Sequence, residues 1–458
     1  MKYLLKKNYS TLLKQPQNKI YHEIKAVYKD AFADNERILF VDDVAESPER
    51  TYLKEYLDKL LQHLDIDPFF VTTIHRGNQT VWWPTNYNIP DTVCMTPWVG
   101  LEVDVDSTLH RCCLWDRSLG EKQNSFRKFF KSTKQSKLKN EFLKGNKPAE
   151  CSKCWRVEQA GGESKRQHDN FIFREHKFAI DYNDTKSNQI INLDIKLGNK
   201  CNLACRICSP RCSSTWSKYD DAVDVEFDWL KNDSSKFWQD ISAISKDVKY
   251  ITFAGGEPLL DKTHRNLLQY FISNKLSKDI VLHYNTNGTI YADYLFDYWN
   301  YFKSVELSFS IDNVDKQFEY ERYGMNWSIV NNNLKKYSTT QYVKNIYCTV
   351  TALNVMYLKK VFDYAESLDW NIVFSTLTEP ESLAVTNLPD KVKTTITKKL
   401  RSNTDKKFKQ LVEPICNLMM SEKSISSLTE YLKPQDAKRA QSFEDYYPEL
   451  YSEIEKCQ

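Results

Sequence analysis

The segment GNKCNLACRICSP, Gly198–Pro210, carries three cysteines, Cys201, Cys205 and Cys208, separated by three and then by two residues. These thiols are too close in sequence for a relaxed set of disulfides, and an odd number leaves one without a partner. Three thiolates on one loop suit a metal centre with an open fourth position, such as a cubane iron–sulfur cluster. A zinc site remains an alternative, because Cys212 lies one turn further on and could supply a fourth ligand.

The composition predicts a soluble protein of two or three domains, since 458 residues exceed what one hydrophobic core usually organises. The 64 Lys and Arg residues against 61 Asp and Glu give a net charge of only +3, so no general attraction to nucleic acid or anionic membrane is expected. The first residues lack the apolar run of a signal peptide, and no segment approaches the ~18 apolar residues of a membrane span. We therefore expect a cytoplasmic protein whose 12 cysteines do not form a disulfide framework.

From residue 191 onward, predicted strands alternate with predicted helices such as Thr263–Leu276 and Leu358–Leu368. This alternation is typical of a parallel sheet that curves into a barrel or partial barrel, in which the loops at the carboxyl ends of the strands build the active site. The predicted strands are Ile191–Leu197, Val248–Ala254, Ile280–Tyr284, Ser304–Asp312, Ile346–Asn354 and Asn371–Leu377.

Polar motifs stand at the carboxyl ends of the first five predicted strands. Each motif alone has an ordinary explanation, since GGEP and Asn-Gly are common turn sequences. Together they predict one site at one edge of the sheet. In chain order they are the cysteine loop, Gly255 to Pro258 (GGEP), Asn287-Gly288, Ser310 with Asp312, and Asn354.

In this order, the Cys-x3-Cys-x2-Cys loop, GGEP and Ser-x-Asp resemble the motifs of the radical S-adenosylmethionine (radical SAM) enzymes. The resemblance implies a [4Fe–4S] cluster on Cys201, Cys205 and Cys208, with S-adenosylmethionine on the free iron. It also implies a one-electron donor of the flavodoxin or ferredoxin type. Reductive cleavage of the cofactor would then give methionine and a 5′-deoxyadenosyl radical, which abstracts hydrogen from a substrate.

The resemblance also implies the contacts to S-adenosylmethionine. The two glycines of GGEP would let a backbone approach the cofactor closely, and the Glu257 carboxylate would accept hydrogen bonds from its ammonium group. Asn313 follows Asp312 where the family commonly has glycine. The full set of implied contacts is Gly255, Gly256, Glu257, Pro258, Ser310, Asp312 and Asn354.

A second cysteine group precedes the predicted barrel. Apolar residues alternate with acids over residues 100–105, and the turn at Asp106-Ser107 then predicts a β-hairpin with cysteine at both ends. The segment CSKC follows about forty residues later. Two pairs of thiols of this kind also describe a structural zinc site. The cysteines of this group are Cys94, Cys112, Cys113, Cys151 and Cys154.

The hairpin and CSKC resemble the twitch domain, a shortened relative of the SPASM domain that carries an auxiliary iron–sulfur cluster in many radical SAM enzymes. Ser107 aligns with the usual hairpin glycine of that domain. This alignment implies a second [4Fe–4S] cluster on Cys94, Cys112, Cys151 and Cys154, with Cys113 as the alternative to Cys112. In this chain the module precedes the barrel, whereas accessory clusters more often follow it.

These patterns predict an α/β protein of four regions. Residues 1–90 form a small α/β module with strand, helix and strand, for which we expect a role in recognising substrate or partner. Residues 91–180 form the twitch-like domain, residues 188–380 the radical SAM core with a partial (β/α)6 TIM-like barrel, and residues 381–458 a helical region.

The expected function is an oxidoreductase reaction in which hydrogen is abstracted from a peptide or protein side chain, leading to oxidation or crosslinking. Dehydrogenation of a sugar or aminocyclitol is the second candidate. The rival from another class is a zinc-stabilised, non-enzymatic protein that binds nucleic acid through the basic segment Lys128–Lys147. That segment more simply predicts the solvated face of a helix, so neither nucleic acid nor a membrane is expected as a partner.

Overall fold

The computed structural model describes residues 91–457 with gaps at 116, 123–124, 176–188, 220–233, 262–263, 422–423 and 425, and four strands ahead of them. The four strands form one sheet in the order β1-β2-β4-β3. The predicted strands around residues 40 and 72 are present, whereas the predicted helix between them lies outside the described residues. The strands are β1 Leu4–Leu5, β2 Leu39–Asp42, β3 Phe70–Arg76 and β4 Gln79–Thr85.

An eight-stranded sheet in the order β12-β11-β10-β9-β8-β7-β5-β6 organises the rest of the described chain. Its neighbouring strands run parallel, apart from the antiparallel pair β5–β6. All six strands predicted from residue 191 onward are present and alternate with helices, so the α/β class is confirmed. The strands are β5 Gly100–Val103, β6 Leu109–His110, β7 Asn192–Lys196, β8 Tyr250–Ala254, β9 Val281–Thr286, β10 Ser304–Ser310, β11 Val343–Val350 and β12 Asn371–Thr376.

The predicted hairpin is present as β5 and β6, but it extends the main sheet and does not form a sheet of its own. Leu101 pairs with Leu193 and Val103 with Ile195 in parallel register. All four side chains are at most 1% exposed and belong to one hydrophobic core. This pairing joins segments about ninety residues apart, and burial of their apolar side chains stabilises it.

The helices of the described residues bury apolar stripes against this sheet or against one another. In the helix Leu358–Ser367, for example, Leu358, Val361, Phe362 and Ala365 are buried at the spacing of one helical face. The helices are α1 Thr96–Val99, α2 Phe126–Phe130, α3 Thr133–Leu143, α4 Ser152–Gln159, α5 Lys165–Glu175, α6 Ser234–Ile244, α7 His264–Ser273, α8 Phe296–Trp299, α9 Asp315–Glu321, α10 Trp327–Ser338, α11 Leu358–Ser367, α12 Asp390–Arg401, α13 Lys406–Ser421, α14 Leu428–Arg439, α15 Phe443–Tyr446 and α16 Pro448–Glu455.

The basic segment forms helix α3, as its pattern predicts. Ser132 caps the helix by accepting from the Gln135 backbone N–H at 3.3 Å. Leu138 and Phe142 are buried, whereas the neighbouring lysines 131, 134, 137, 144 and 147 are exposed. Among the described residues, no helix combines the length and the apolar character needed to cross a membrane.

Ser107 offers a test of the hairpin. It is exposed and has a φ of 64°, in the left-handed region that favours glycine. We expect Ser107→Gly to fold normally and Ser107→Val to be less stable than the glycine variant by about 1–2 kcal/mol, because a β-branched residue is strained there. Urea unfolding of the two variants measures the difference, and equal stability would show that the turn does not need this conformation.

Candidate active site

The cysteine loop follows β7 directly and is anchored on both flanks. The backbone N–H groups of Ala204 and Arg206 donate to the carbonyls of Tyr323 and Glu321 at 2.8 and 2.9 Å. The indole N–H of Trp216 donates to the Cys205 carbonyl at 2.6 Å. The loop is therefore held by backbone contacts that leave its thiols available.

The three thiols of the loop lie within electrostatic reach of one another. Those of Cys205 and Cys208 share a hydrogen bond, which lowers the pKa of Cys205 and raises that of Cys208. Burial, and then Cys205, raises the pKa of Cys201 to about 12. Cys205 is buried and the other two are partly exposed, whereas Cys212 is exposed. The three thiols lie on one loop, and the fourth, Cys212, is exposed.

The chemistry of this donor set fits an iron–sulfur cluster. Cys201, Cys205 and Cys208 are free thiols, and soft thiolates are the ligands that such clusters require. As placed, no three His, Cys, Asp or Glu side chains of the described residues already form a metal-binding group. The residue types therefore fit the cluster, and the assignment of these ligands stays a prediction.

The GGEP segment packs its backbone against the cysteine loop. Gly256 N–H donates to the Gly198 carbonyl at 3.0 Å, and Glu257 N–H donates to the Lys200 carbonyl at 2.8 Å. A Cβ on Gly256 would lie 2.5 Å from the Lys200 carbonyl carbon and closer still to its oxygen. The glycines thus have a role that the sequence analysis did not predict, which is to bring two loop backbones together.

The Glu257 carboxylate is 1% exposed and already accepts three protein donors. These are the backbone N–H of Leu259 at 3.0 Å, the Thr286 hydroxyl at 2.8 Å and the backbone N–H of Asn287 at 2.6 Å. Burial raises its pKa to about 7. A carboxylate offers about four acceptor positions, so roughly one remains for a ligand such as an ammonium group.

Asn287 contacts the cysteine loop, although its sequence motif predicts only a turn. Its Nδ2 donates to Asn202 Oδ1 at 3.0 Å and lies 3.9 Å from Cys201 Sγ. The turn itself is confirmed, because Gly288 has a φ of 75°. The end of β9 therefore supports the first thiol of the loop.

The polar residues at the ends of β10 and β11 differ in their burial and in the contacts that they make within the protein. Asp312 is 1% exposed and forms an ion pair with Arg322 at 2.8 Å. Asn354 is fully buried and donates to the carbonyls of Asp312 at 3.1 Å and Thr349 at 2.8 Å. Ser310 is partly exposed. Asp312 and Asn354 thus hold two strand ends together, and their contact with a cofactor stays a prediction.

Buried arginines around the loop were not predicted from the sequence. Arg206 is 0% exposed and donates to Asp436 of α14 at 2.6 Å, and its guanidinium lies 3.6 Å from the Tyr320 ring centre. Arg439, at the end of α14, donates to the Ala204 carbonyl at 3.2 Å. Helix α14 therefore contacts the cysteine loop and stabilises it. These pairs span more than 200 residues, so no local pattern could reveal them.

The second cysteine group divides into two sets. Cys94, Cys151 and Cys154 interact electrostatically, and burial is the main cause of the raised pKa of each. Cys112 and Cys113 share a hydrogen bond and lie near Lys165 of α5. The charge of Lys165 also lowers the pKa of Cys154, so thiols of both sets lie near this lysine. Membership of Cys112 in one four-thiol site stays a prediction.

One face of β7 carries polar side chains. Asn192, Asp194 and Lys196 alternate with the core residues of this strand, and Lys196 forms ion pairs with Glu102 at 2.6 Å and Asp104 at 3.0 Å. The Oδ1 atoms of Asn192 and Asp194 are buried and have no hydrogen-bond partner among the described residues. Burial, and then Glu102, raises the pKa of Asp194 to about 7.

This polar face continues across the sheet. The Tyr250 hydroxyl donates to Glu306 at 2.7 Å, and a ring nitrogen of His283 lies 2.9 Å from the Ser308 hydroxyl. Lys165 forms an ion pair with Asp169 at 2.8 Å, and both influence the pKa values of Tyr250 and His283. Helix α5 thus lies close enough to this face to act on its titratable groups.

Comparisons with known proteins return only solved structures; no family model and no curated protein matches. The structure of anSMEcpe with bound AdoMet is 22% identical, and the match covers 42% of this chain and half (50%) of that chain, with a TM-score of 0.34. SuiB of Streptococcus suis bound to the precursor peptide SuiA is 13% identical and covers 76% of this chain and 73% of that chain, with a TM-score of 0.33. SuiB bound to S-adenosylmethionine is 11% identical, with coverage of 69% and 68% and a TM-score of 0.30.

In its cysteine loop and strand-end motifs, the chain resembles the radical SAM enzymes.

The packing of GGEP on the loop can be tested with Gly256→Ala. The added Cβ would overlap the Lys200 backbone, so we expect a loss of about 2–4 kcal/mol in the free energy of unfolding and weak iron binding by the loop. Gly161→Ala is the matched control, because Gly161 has a φ of 85° but no atom within 4 Å of the place where a Cβ would stand. It should cost only about 1 kcal/mol and keep the iron. Equal losses in the two variants would contradict the packing argument.

The buried Asp194 predicts a pH dependence. Its pKa is raised in the folded state, so the native chain binds more protons than the unfolded chain below about pH 7, and stability falls as the pH rises towards that value. The substitution Asp194→Asn removes this loss of stability at higher pH. The variant should therefore gain about 2–3 kcal/mol relative to the parent between pH 5 and pH 8, measured by urea unfolding. The exposed Asp297→Asn should show no such gain, and a flat difference for Asp194→Asn would contradict the prediction.

Proposed function

We propose that this chain is a radical SAM enzyme. The observation that carries the proposal is the packing of the GGEP backbone against a loop that holds three free thiols. This geometry suits a cluster with one iron left open, because the loop supplies three soft ligands and the fourth thiol, Cys212, is exposed. Arrangement of the six core strands as a partial (β/α)6 barrel belongs to the same proposal.

In this proposal Cys201, Cys205 and Cys208 hold the [4Fe–4S] cluster, which supplies the electron for cleavage of S-adenosylmethionine. The residues of the chain bind and orient S-adenosylmethionine. Glu257 retains about one acceptor position for the ammonium group, and its three protein donors hold it still. The other proposed cofactor contacts are the partly exposed Ser310, the backbone at Gly255 and Gly256, and Pro258, Asp312 and Asn354.

An auxiliary [4Fe–4S] cluster is proposed on Cys94, Cys112, Cys151 and Cys154. The electrostatic contact among Cys94, Cys151 and Cys154 supports three of these ligands. Ser107 supports the alignment that selects Cys112, since its φ of 64° is the conformation of a hairpin glycine. Structural zinc is the alternative for this group.

The proposed substrate is a peptide or protein side chain that undergoes oxidation or crosslinking. The polar face of the sheet, with the buried acceptors of Asn192 and Asp194, supports a substrate rich in hydrogen-bond donors, such as a peptide. A sugar or aminocyclitol also carries donors and is the second candidate. An electron donor of the flavodoxin or ferredoxin type and a cytoplasmic location complete the proposal.

Anaerobic reconstitution tests the proposal. The parent chain should bind about eight irons in two clusters and, with a reductant, convert S-adenosylmethionine to methionine and 5′-deoxyadenosine. Cys205→Ala should lower the rate of cleavage at least a hundredfold, whereas the matched Cys212→Ala should retain both iron and cleavage. A colourless chain that binds zinc instead of iron would contradict the proposal.

The two cysteine groups should separate in the same assay. Cys154→Ala should lose the auxiliary iron but keep cleavage of S-adenosylmethionine, because the groups that act most strongly on Cys154, among them Lys165, Asp169 and Glu158, lie outside the cysteine loop. Loss of cleavage in Cys154→Ala with a full catalytic cluster would show that the two groups are not independent.

A further inference from the structure

Arg322 is a buried cation whose guanidinium contacts a thiol of the cysteine loop. It follows α9 and is 7% exposed. Its Nη1 donates to Cys205 Sγ at 4.0 Å, and its Nη2 forms an ion pair with Asp312 Oδ2 at 2.8 Å. The guanidinium thus lies between a proposed cluster ligand and a carboxylate.

The surroundings of Arg322 fix its orientation. The second oxygen of Asp312 accepts from the Thr349 backbone N–H at 2.8 Å, so the carboxylate is held by β11. The backbone of the preceding Glu321 accepts from the Arg206 N–H of the cysteine loop at 2.9 Å. The Arg322 guanidinium is therefore held through Asp312, and the backbone beside it is joined to the cysteine loop.

The neighbouring acid, Glu321, accepts its hydrogen bonds from other partners, although its charge also acts on Arg322. The Glu321 carboxylate accepts from the Tyr447 hydroxyl, from Asn313 Nδ2 at 3.1 Å and from Asn354 Nδ2 at 3.2 Å. These partners lie close to Asp312, because Asn354 also donates to the Asp312 carbonyl at 3.1 Å. The groups that act most strongly on the charge of Arg322 are Asp312 and then Cys205, followed by Cys208 and Glu321.

A fixed positive charge beside a cluster ligand favours the reduced, more negative state of the cluster, and the effect is strong because the site is shielded from water. Building on the proposed function, we infer that Arg322 raises the reduction potential of the catalytic cluster through its contact with Cys205. Arg322 is a positioning residue in this role, since it acts through the sulfur. A purely structural arginine would affect folding and iron content but leave the potential unchanged.

The test is a redox titration of the reconstituted full chain, followed by electron paramagnetic resonance. The signal of the catalytic cluster is the one that changes when S-adenosylmethionine is added. In Arg322→Gln, the ratio of reduced to oxidised catalytic cluster at a fixed applied potential should fall at least tenfold, which is 59 mV for a one-electron couple. In Arg322→Lys, which keeps the charge but cannot make both contacts, the ratio should fall by a smaller factor.

Arg206→Gln is the matched control. It removes a buried guanidinium that belongs to the cysteine loop itself, but the contacts of that group run to Tyr320, Asp436 and Gln441. It should lower stability while changing the ratio by less than threefold.

Three outcomes are decisive. A catalytic cluster in Arg322→Gln with the parent potential, or an equal shift in Arg206→Gln, overturns the inference and leaves the proposed function intact. If the glutamine variant does not assemble a cluster, Arg322→Lys decides, because a lowered ratio supports the inference and an unchanged one overturns it. Failure of the parent chain itself to bind iron overturns the proposed function together with the inference.

Discussion

The close approach of two backbones, GGEP and the cysteine loop, is the constraint on which the site depends. Gly256 has no side chain because the Lys200 carbonyl occupies the space where a Cβ would stand. The backbone N–H groups of Gly256 and Glu257 donate to carbonyls of the loop and hold Glu257 beside it. The Glu257 carboxylate accepts from the backbone N–H of Asn287 and so positions the end of β9. One steric requirement thus aligns the ends of three neighbouring strands.

The local patterns of the sequence predicted much of this site. The alternation of strand-like and helix-like segments predicted β7 to β12, because both patterns are short-range properties of the sequence. The order of motifs at the strand ends brought the cysteine loop, GGEP and Asp312 to one edge of the sheet. Ser107 was aligned with a glycine position, and its left-handed backbone agrees with that alignment.

Long-range contacts could not be predicted in the same way. The pairing of β5 with β7 depends on a register between distant segments, and the bracing of the loop by Arg206 and Arg439 depends on helix α14, more than 200 residues away. GGEP was predicted to face a cofactor, whereas its glycines also serve the packing of the loop. Single residues such as Arg322 belong to no sequence motif, so their roles can be inferred only from their contacts in the structure.

The central claim is that three cysteines leave one iron open for S-adenosylmethionine. Electron–nuclear double resonance of the reduced chain, with cofactor labelled by nitrogen-15 in its amino group and oxygen-17 in its carboxylate, tests this most directly. Hyperfine coupling of both labels to a cluster is the predicted result, and it should vanish in Cys205→Ala. A reduced cluster with no coupling to either label would contradict the account.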